Sequence, residues 1–545
     1  MAGVVAAGHS KTAEAGKIIL EAGGNAFDAA VAAALASCVA EPTLASLGGG
    51  GFLLAHTADG QNKLLDFFTQ TPSCRPDHIQ PDFFPVEADF GDTTQEFHIG
   101  LGSIAVPGMM AGLVTTSKSF GRLPFSVVAE PAIAYAKEGV AVSDFQSYCY
   151  ELLEPILLNT ARSRSIYAPY GKLLTAGQTI RMPEFADTLD FLANNGQKNS
   201  HSGLRKHLWD FYEGEIAQKT VQSCQEVGGY LTMADFQNYR VIERKPLEIT
   251  YRGTQMITNP PPSAGGSLIA FCLELLDRFE LGKMTFGSAE HLTLLSQAMR
   301  WTNVARRSHL DAALFDSNIA QKFTSPDLVE KYAQPIKDLI KQGLNRWGST
   351  THISVIDNEG NAASITSSNG EGSSYVVPDT QIMMNNMLGE EDLNPHGFNQ
   401  WPLNQRMSSM MAPTMILKSG KPQLVLGSGG SNRIRSAILQ VISNILDFDM
   451  PLKAAVEAPR IHWENGVFHL EPGLLSPKLK SAFSTDSGVE GSLETDRIVQ
   501  WQQSNMFFGG VHTTAIEDQT LQGAGDSRRS GAVSKTDEIA EKLKR

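Results

Sequence analysis

The clearest pattern of hydrophobic and polar positions lies in the last third of the chain. Residues 351–357 read THISVID, so that Ile353 and Val355 fall on one face and His352 on the other. This period of two predicts a β-strand. The turn DNEGN and the returning run AASITSS predict an antiparallel hairpin. TMILK, the turn SGKP and QLVLG predict a second hairpin further along.

Helical patterns occupy the start of the chain and the stretch after the second hairpin. Residues 11–22 predict a helix that ends at Gly23, where glycine relieves the left-handed cap. Asn25 can cap a second helix that continues through alanine-rich sequence to about Ala40. In RIRSAILQVISNIL, isoleucine and valine recur at helical spacing. Residues 105–345 predict further helices separated by loops.

Two glycine-rich segments join these elements. GSGGSN (427–432) leads from a predicted strand into a predicted helix, so its amide N–H groups and the positive helix end suit an oxyanion. Gly48 to Gly51 precede the predicted strand FLLAH and allow close approach of another backbone or a ligand. Neither a G-x-G-x-x-G pattern nor a Walker lysine accompanies them, which argues against a nucleotide site.

Composition narrows the classes of protein. The 545 residues are 42% hydrophobic and 19% charged, as in ordinary globular proteins. A formal charge of -13 without a basic run argues against nucleic-acid binding. The five cysteines include no C-x-x-C pair, and His352, His396, His462 and His512 are scattered without metal-ligand spacing. We therefore expect no metal and no cofactor.

The start and the end of the chain carry weaker signals. The first residues lack a basic segment followed by a long apolar one, and the richest apolar run, 26–40, is too short for a membrane span. As written, the sequence predicts a cytoplasmic protein without membrane contact, or a periplasmic one if a leader was removed. The polar tail after Asp526 predicts a frayed end or a surface helix.

The segment GSTTHISV could carry catalysis. A threonine hydroxyl becomes a useful nucleophile when the residue is the first of its chain, because its own α-amine can act as base. That amine has a pKa of about 7.7–8. The chemistry therefore requires cleavage between Ser349 and Thr350. The residues alone favour an ordinary strand edge for Ser-Thr-Thr over a catalytic role.

Several motifs in order resemble those of the gamma-glutamyltranspeptidase family, over nearly the whole chain. They are EAGGNAFDAAVAAALASCVAEPTLASLGGGGFLL (21–54), VPG (106–108), LTMADFQNY (231–239), NPPPSAGG (259–266), STTHISVIDNEGNA (349–362), RMSSMMAPT (406–414), GSGGSNRI (427–434) and GAGDSRRSGAV (523–533).

This resemblance implies an α+β fold, the four-layer αββα sandwich of N-terminal-nucleophile hydrolases. It implies a precursor that cuts itself into a large piece, 1–349, and a small piece, 350–545. The pieces would stay together as a heterodimer within one intertwined domain, and the heterodimer could dimerise further. The implied reaction cleaves gamma-glutamyl amides such as glutathione through an acyl-threonine, with water, an amino acid or a peptide as acceptor.

The resemblance also implies roles for individual residues. The implied catalytic set is Thr350 as nucleophile, Ser368 as supporting hydroxyl, and Gly429 and Gly430 as oxyanion hole. The implied substrate-binding residues are Ser408 and Ser409, which would hold the α-carboxylate of the substrate, and Glu390 or Glu391, which would hold its amine. A substrate-contacting asparagine of the family corresponds to Asn369 if the alignment has one gap, and its position falls on Gly370 if the alignment has none.

One departure weakens the glutamyl assignment. Where the family has a carboxylate-binding arginine after a D-F pair, this chain has Phe68 after Asp66 and Phe67. An apolar ring cannot replace a bidentate guanidinium. A related amidase of the cephalosporin-acylase kind, with a different acyl group, therefore stays open. An unprocessed, non-catalytic homologue is the third alternative.

Overall fold

A computed structural model describes residues 1–89, 94–194, 205–334, 336, 350–394, 397–464, 466–474 and 497–536. Its strands are β1 Gly3–Ala7, β2 Gly50–His56, β3 Asn62–Phe67, β4 Phe84–Asp89, β5 Thr94–Ile99, β6 Val140–Ala141, β7 Thr179–Ile180, β8 Ile242–Arg244, β9 Leu247–Tyr251, β10 Thr254–Thr258, β11 Thr351–Asp357, β12 Ala362–Ser368, β13 Val376–Val377, β14 Ile382–Met383, β15 Thr414–Lys418, β16 Lys421–Gly429, β17 Ile461–Glu464, β18 Val467–Leu470, β19 Arg497–Gln500, β20 Gly510–Glu517, β21 Thr520–Ala524 and β22 Ala532–Lys535.

The helices are α1 Ser10–Glu21, α2 Ala26–Ala40, α3 Met109–Phe120, α4 Phe125–Glu138, α5 Asp144–Leu152, α6 Glu154–Leu157, α7 Ala161–Tyr167, α8 Pro183–Asn194, α9 Arg205–Tyr212, α10 Glu215–Ser223, α11 Met233–Asn238, α12 Ala264–Leu276, α13 Ala289–Ala305, α14 Ile319–Phe323, α15 Pro326–Ala333, α16 Arg433–Leu446 and α17 Leu452–Glu457.

Two antiparallel sheets form the centre of the molecule. The first has the order β22-β1-β11-β12-β2-β3-β8, and the second β21-β20-β16-β15-β10-β9. Each sheet takes strands from both sides of position 350, so the two predicted pieces share one architecture. The hairpins predicted from THISVID and TMILK are β11-β12 and β15-β16, and both pair antiparallel.

Helices cover the outer face of each sheet. Ile353 and Val355 of β11 belong to the core beneath α1 to α4, as their alternation predicts. The other core lies between the sheets and under α12, α13 and α16, where Ile434 and Ile438 are buried. The sheets also meet through hydroxyl groups, since Ser354 donates to the carbonyl of His512 at 3.0 Å. This is the α+β sandwich that the sequence predicts.

Local sequence explains the first two helices. Gly23 ends α1 with a φ of +96°, which favours glycine. Asn25 and Asp28 form a capping box at the start of α2. Every residue of α2 is buried, which fits its uninterrupted alanine-rich composition.

The frayed end or surface helix predicted for the end of the polar tail falls on 537–545, outside the described residues. Before it, residues 532–535 form β22, which pairs with β1 at the edge of the first sheet. Its polar composition suits an edge strand, where alternate side chains face solvent. In the described part of the chain, no helix combines the length and apolar character that a membrane crossing requires.

Candidate active site

Thr350 and Ser368 lie side by side at the end of the first sheet. Thr351 pairs with Ser367 across β11 and β12, so Thr350 and Ser368 occupy the next position of the same register. Both residues line one cleft, and Thr350 is 6% exposed. Ser349, the other side of the predicted cleavage site, lies outside the described residues.

The four glycines before FLLAH make this arrangement possible. A Cβ on Gly49 would overlap the carbonyl oxygen of Ser368, and one on Gly51 would overlap that of Thr366. Of the two uses that the sequence allowed, the described structure therefore supports close packing of backbone on backbone.

Gly429 sits against the Thr350 residue from the second sheet, and Gly430 follows it in the chain. A Cβ on Gly429 would overlap the carbonyl oxygen of Thr350, and Gly430 has a φ of +118°. Ser431 and Ile434 line the cleft, so the N-terminal end of α16 reaches it. No side chain caps that end of the helix. The positive end of α16 can therefore favour negative charge that develops beside Thr350.

Behind Thr350 lies an arginine that the sequence did not assign. Arg529 is buried and donates from Nη1 to the carbonyl oxygen of Thr350 and from Nη2 to that of Met506, both at 3.3 Å. Burial lowers the pKa of this guanidinium. The motif GAGDSRRSGAV marked this segment, but nothing local indicated which of its arginines reaches the cleavage position.

A buried carboxyl group holds the residue after Thr350. Glu41, at the end of α2, accepts hydrogen bonds from the hydroxyls of Thr351 at 2.6 Å and Thr12 at 2.7 Å. Burial raises the pKa of Glu41, while these two hydroxyl donors and the charge of Arg529 act in the opposite direction. Sequence reasoning missed this contact because 310 positions separate Glu41 from Thr351.

The cleft combines apolar walls with acidic and hydroxyl groups. Its apolar lining is Phe68, Met387, Leu393, Met410, Met411 and Ile434. Its polar lining, besides Thr350, Ser368 and the backbone of Gly370, is Glu390, Asp392, Ser409 and Ser431. Among the described residues of this lining there is no lysine, arginine or histidine.

The sequence left open which of two neighbouring glutamates faces the substrate site, and the structure shows which of them lines the cleft. Glu390 and Asp392 line the cleft, whereas Glu391, between them on the 3-10 turn Glu391–Leu393, does not. Burial, followed by the charges of Glu371 and Asp392, raises the pKa of Glu390 well above its usual range. Asp392 accepts from the hydroxyl of Ser431 and from the amide of Asn432 at 3.4 Å. Asp392 was not among the predicted residues.

The two predicted serines differ in position. Ser409 lines the cleft, and its carbonyl accepts from the backbone N–H of Ala264 at 2.8 Å. The segment NPPPSAGG thus fixes the serine pair. Ser408 is half-buried and is not among the lining residues. Asn369 is buried beside the cleft, and its neighbour Gly370 lines it instead.

The structure describes three of the four histidines that we predicted not to bind metal, and each of them forms hydrogen bonds with other protein groups. His352 contacts Thr366 and Ser354, and His462 contacts Ser436. His512 accepts at 3.4 Å from the N–H of Asp526. His396 lies outside the described residues. Within the described ranges, no group of three or more His, Cys, Asp or Glu side chains could hold a metal ion.

Comparison with known proteins gives this geometry its context. The sequence profile of the family described as Gamma-glutamyltranspeptidase matches residues 12–536. The chain belongs to this family. The glutathione hydrolase proenzyme of Escherichia coli (strain K12) is 30% identical over 95% of this chain and 91% of its own length. The acylase ACY 1 proenzyme of Pseudomonas sp. (strain SE83) is 31% identical over 97% and 92%.

Solved structures of an acylase and of a gamma-glutamyltranspeptidase share the fold of this chain. Cephalosporin acylase from Bacillus halodurans superposes with a TM-score of 0.82 at 25% identity, covering 98% of this chain and 95% of that one. Helicobacter pylori gamma-glutamyltranspeptidase gives 0.52 at 28% identity, covering 60% and 90%. Proteins named glutathione hydrolases and proteins named acylases therefore resemble this chain about equally. Membership makes the chain an N-terminal-nucleophile hydrolase of the gamma-glutamyltransferase type without naming its acyl group.

Proposed function

We propose that the chain is a self-cleaving amide hydrolase and acyltransferase that uses Thr350 as an N-terminal nucleophile. One observation carries the proposal. Thr350 lies in a cleft with the hydroxyl residue Ser368, against Gly429 and at the positive end of α16. Such a group of residues suits acyl transfer, in which a hydroxyl attacks a carbonyl and negative charge develops on its oxygen.

The first step is self-cleavage. The Thr350 hydroxyl oxygen attacks the carbonyl carbon of Ser349, the peptide C–N bond breaks, and the Thr350 nitrogen takes up the proton. Water then hydrolyses the resulting ester between Ser349 and the Thr350 oxygen. The released α-amine, whose pKa lies at about 7.7–8 in ordinary peptides, becomes the base of the next reaction.

The second step is turnover on an external amide. The α-amine accepts the hydroxyl proton as the Thr350 oxygen attacks the substrate carbonyl. The backbone at Gly429 and Gly430 and the end of α16 stabilise the oxyanion. The leaving amine takes the proton, and an acyl ester remains on Thr350. Water, an amino acid or a peptide then accepts the acyl group.

Two acyl groups compete for this role. Gamma-glutamyl amides such as glutathione are the first candidates, because relatives named glutathione hydrolases are similar over almost the whole chain. An amidase with a non-glutamyl acyl group is the second. The position of Phe68 in the cleft favours it, since an apolar ring offers no charge to an α-carboxylate.

The test measures intact mass and the N-terminal sequence of purified wild-type protein, Thr350→Ala and Thr350→Ser. Wild type and the serine variant are expected to split, with a small fragment that begins at position 350, and the alanine variant to stay whole. Brief incubation with an activated amide should add one acyl mass to the small fragment. Wild-type protein that stays one chain and acquires no acyl mass would establish the non-catalytic alternative instead.

A further inference from the structure

The cleft beside Thr350 has one rigid apolar wall. Phe68 is 1% exposed and stacks on Phe52 with ring centroids 5.6 Å apart. Its N–H donates to Asp66 at 3.0 Å, and its carbonyl accepts from the hydroxyl of Tyr239 at 2.7 Å and from Arg406. Because both the ring and the backbone are fixed, this wall cannot turn a polar group toward a substrate.

The arginines nearest to this wall face away from the cleft. Arg244 pairs with the buried carboxylate of Asp66 at 2.7 Å, and Arg406 lies 3.6 Å from the same group. Neither arginine is one of the described residues that line the cleft. A substrate carboxylate placed against Phe68 would therefore be desolvated without a cationic side chain to compensate it, which is costly.

The lining of the cleft also contains two acidic side chains, Glu390 and Asp392. Glu390 is 5% exposed and accepts from the N–H of Glu371 at 3.2 Å, and Asp392 accepts from Ser431. Two buried guanidinium groups lie within electrostatic range, Arg433 near Asp392 and Arg529 near Glu371. They contact the Phe507 ring and the Thr350 carbonyl respectively, and neither is among the described residues that line the cleft.

These observations determine which charges a bound acyl group can carry. An ammonium group would gain attraction from Glu390 and Asp392 and would lower the repulsion among the carboxylates. A carboxylate would add to that repulsion. Burial, and after it the crowding of acidic groups, raises the pKa of Glu390, and a bound cation would lower that pKa again.

We propose that this site selects short acyl chains that carry an ammonium group but no free carboxylate, with 4-aminobutanoyl amides as the simplest representative. The inference rests on the proposed function of Thr350. The 4-aminobutanoyl group equals a gamma-glutamyl group without its α-carboxylate. Its amide C–N bond breaks as the ester to the Thr350 oxygen forms, the leaving amine takes the proton, and water then releases 4-aminobutanoate.

Four matched p-nitroanilides test the proposal on the self-processed protein. Their acyl groups are 4-aminobutanoyl, with only the amine; glutaryl, with only a carboxylate; gamma-glutamyl, with both; and butanoyl, with neither. The expected kcat/KM for the 4-aminobutanoyl compound is at least tenfold above each of the others. A higher value for the glutaryl or gamma-glutamyl compound would overturn the inference, and so would an equal value for butanoyl.

Variants locate the origin of the preference. Glu390→Gln should lower the ratio of kcat/KM for the 4-aminobutanoyl compound to that for the butanoyl compound at least tenfold. Phe68→Arg should raise the ratio of gamma-glutamyl to 4-aminobutanoyl at least tenfold. Phe68→Leu, which keeps an apolar wall, should retain the wild-type order of substrates. An unchanged ratio in both Glu390→Gln and Phe68→Arg would refute the assignment.

The measurements distinguish this inference from the proposed function. Protein that splits at Thr350 and hydrolyses any of the four compounds supports the proposed function, and the order of substrates then decides the inference alone. Protein that neither splits nor hydrolyses any of them refutes both.

Discussion

The guanidinium of Arg529 donates a hydrogen bond to the carbonyl oxygen of Thr350 at 3.3 Å, from a position buried behind the cleft. The two residues lie 179 positions apart in the chain. Gly429 touches the same carbonyl from the second sheet. The backbone carbonyl of Thr350 is thus contacted from two sides, while the residue itself lines the cleft. Four predictions follow from this arrangement and from the packing around it.

Arg529 is expected to act as a positioning residue. Arg529→Lys removes the planar donor that reaches Thr350, and a hydrogen bond to a charged group contributes about 1.5–3 kcal/mol. Self-cleavage should therefore slow by roughly 10- to 100-fold, measured as the rate at which the small fragment appears by mass. Arg122→Lys, in an exposed pair with Glu359, is the matched control and should cleave at the wild-type rate.

An alanine at position 429 should stop both self-cleavage and turnover. The added Cβ would overlap the Thr350 carbonyl oxygen, so the nucleophile strand must shift. We expect activity to fall at least about 100-fold, since displacement by one ångström has that effect on reacting groups. The control is Gly420→Ala, where φ is +74° but no atom lies within 4 Å. Gly420→Ala should lower the free energy of unfolding by about 1 kcal/mol and retain activity. An equal loss of activity in Gly429→Ala and Gly420→Ala would contradict the argument.

Asp526 should contribute strongly to stability. It is fully buried, pairs with Arg460 at 2.6 Å and Arg528 at 3.1 Å, and accepts from the N–H of Val511. Asp526→Ala leaves buried positive charge without its partner and should lower the free energy of unfolding by about 3–5 kcal/mol.

Urea denaturation measures this loss. Glu243→Ala, which breaks the exposed pair with Lys63, is the comparison and should change the free energy of unfolding by less than about 1 kcal/mol. Similar losses in the two variants would show that burial of the Asp526 pairs does not determine their contribution.

Acid should destabilise the protein through its buried histidines. Burial lowers the pKa of His512 from 6.5 to about 4. The unfolded chain therefore binds the proton more readily, and stability is lost as the pH falls from about 6.5 toward 4. The full shift corresponds to roughly 3 kcal/mol.

His512→Gln keeps an acceptor and removes this titration. Between pH 6.5 and 4.5 its free energy of unfolding should fall less steeply than that of wild type, while a comparison at pH 8 isolates the change in packing. Glu390 acts in the opposite direction, because its raised pKa makes the folded state the better proton binder as the pH falls. The difference in slope between the two proteins is therefore the test, and parallel curves would contradict it.

The sequence predicted those elements that local pattern and capping decide. The alternation in THISVID, the Asn25 cap of α2, the Gly23 terminus of α1 and the strand-glycine-helix order around Gly429 correspond to structure as predicted. The resemblance of eight motifs correctly indicated the family and the fold. The cleavage at Thr350 and the roles of the predicted site residues stay predictions.

Only the tertiary structure decided which distant groups meet. It brought Glu41 to Thr351 and Arg529 to Thr350, turned Glu390 and Asp392 toward the cleft rather than Glu391, and added β22 to the first sheet. Periodicity and capping depend on neighbours a few residues away, so the chain encodes them locally. A pairing across 179 or 310 positions depends on how two sheets stack, and a one-residue change of register in a turn decides which carboxylate faces the cleft.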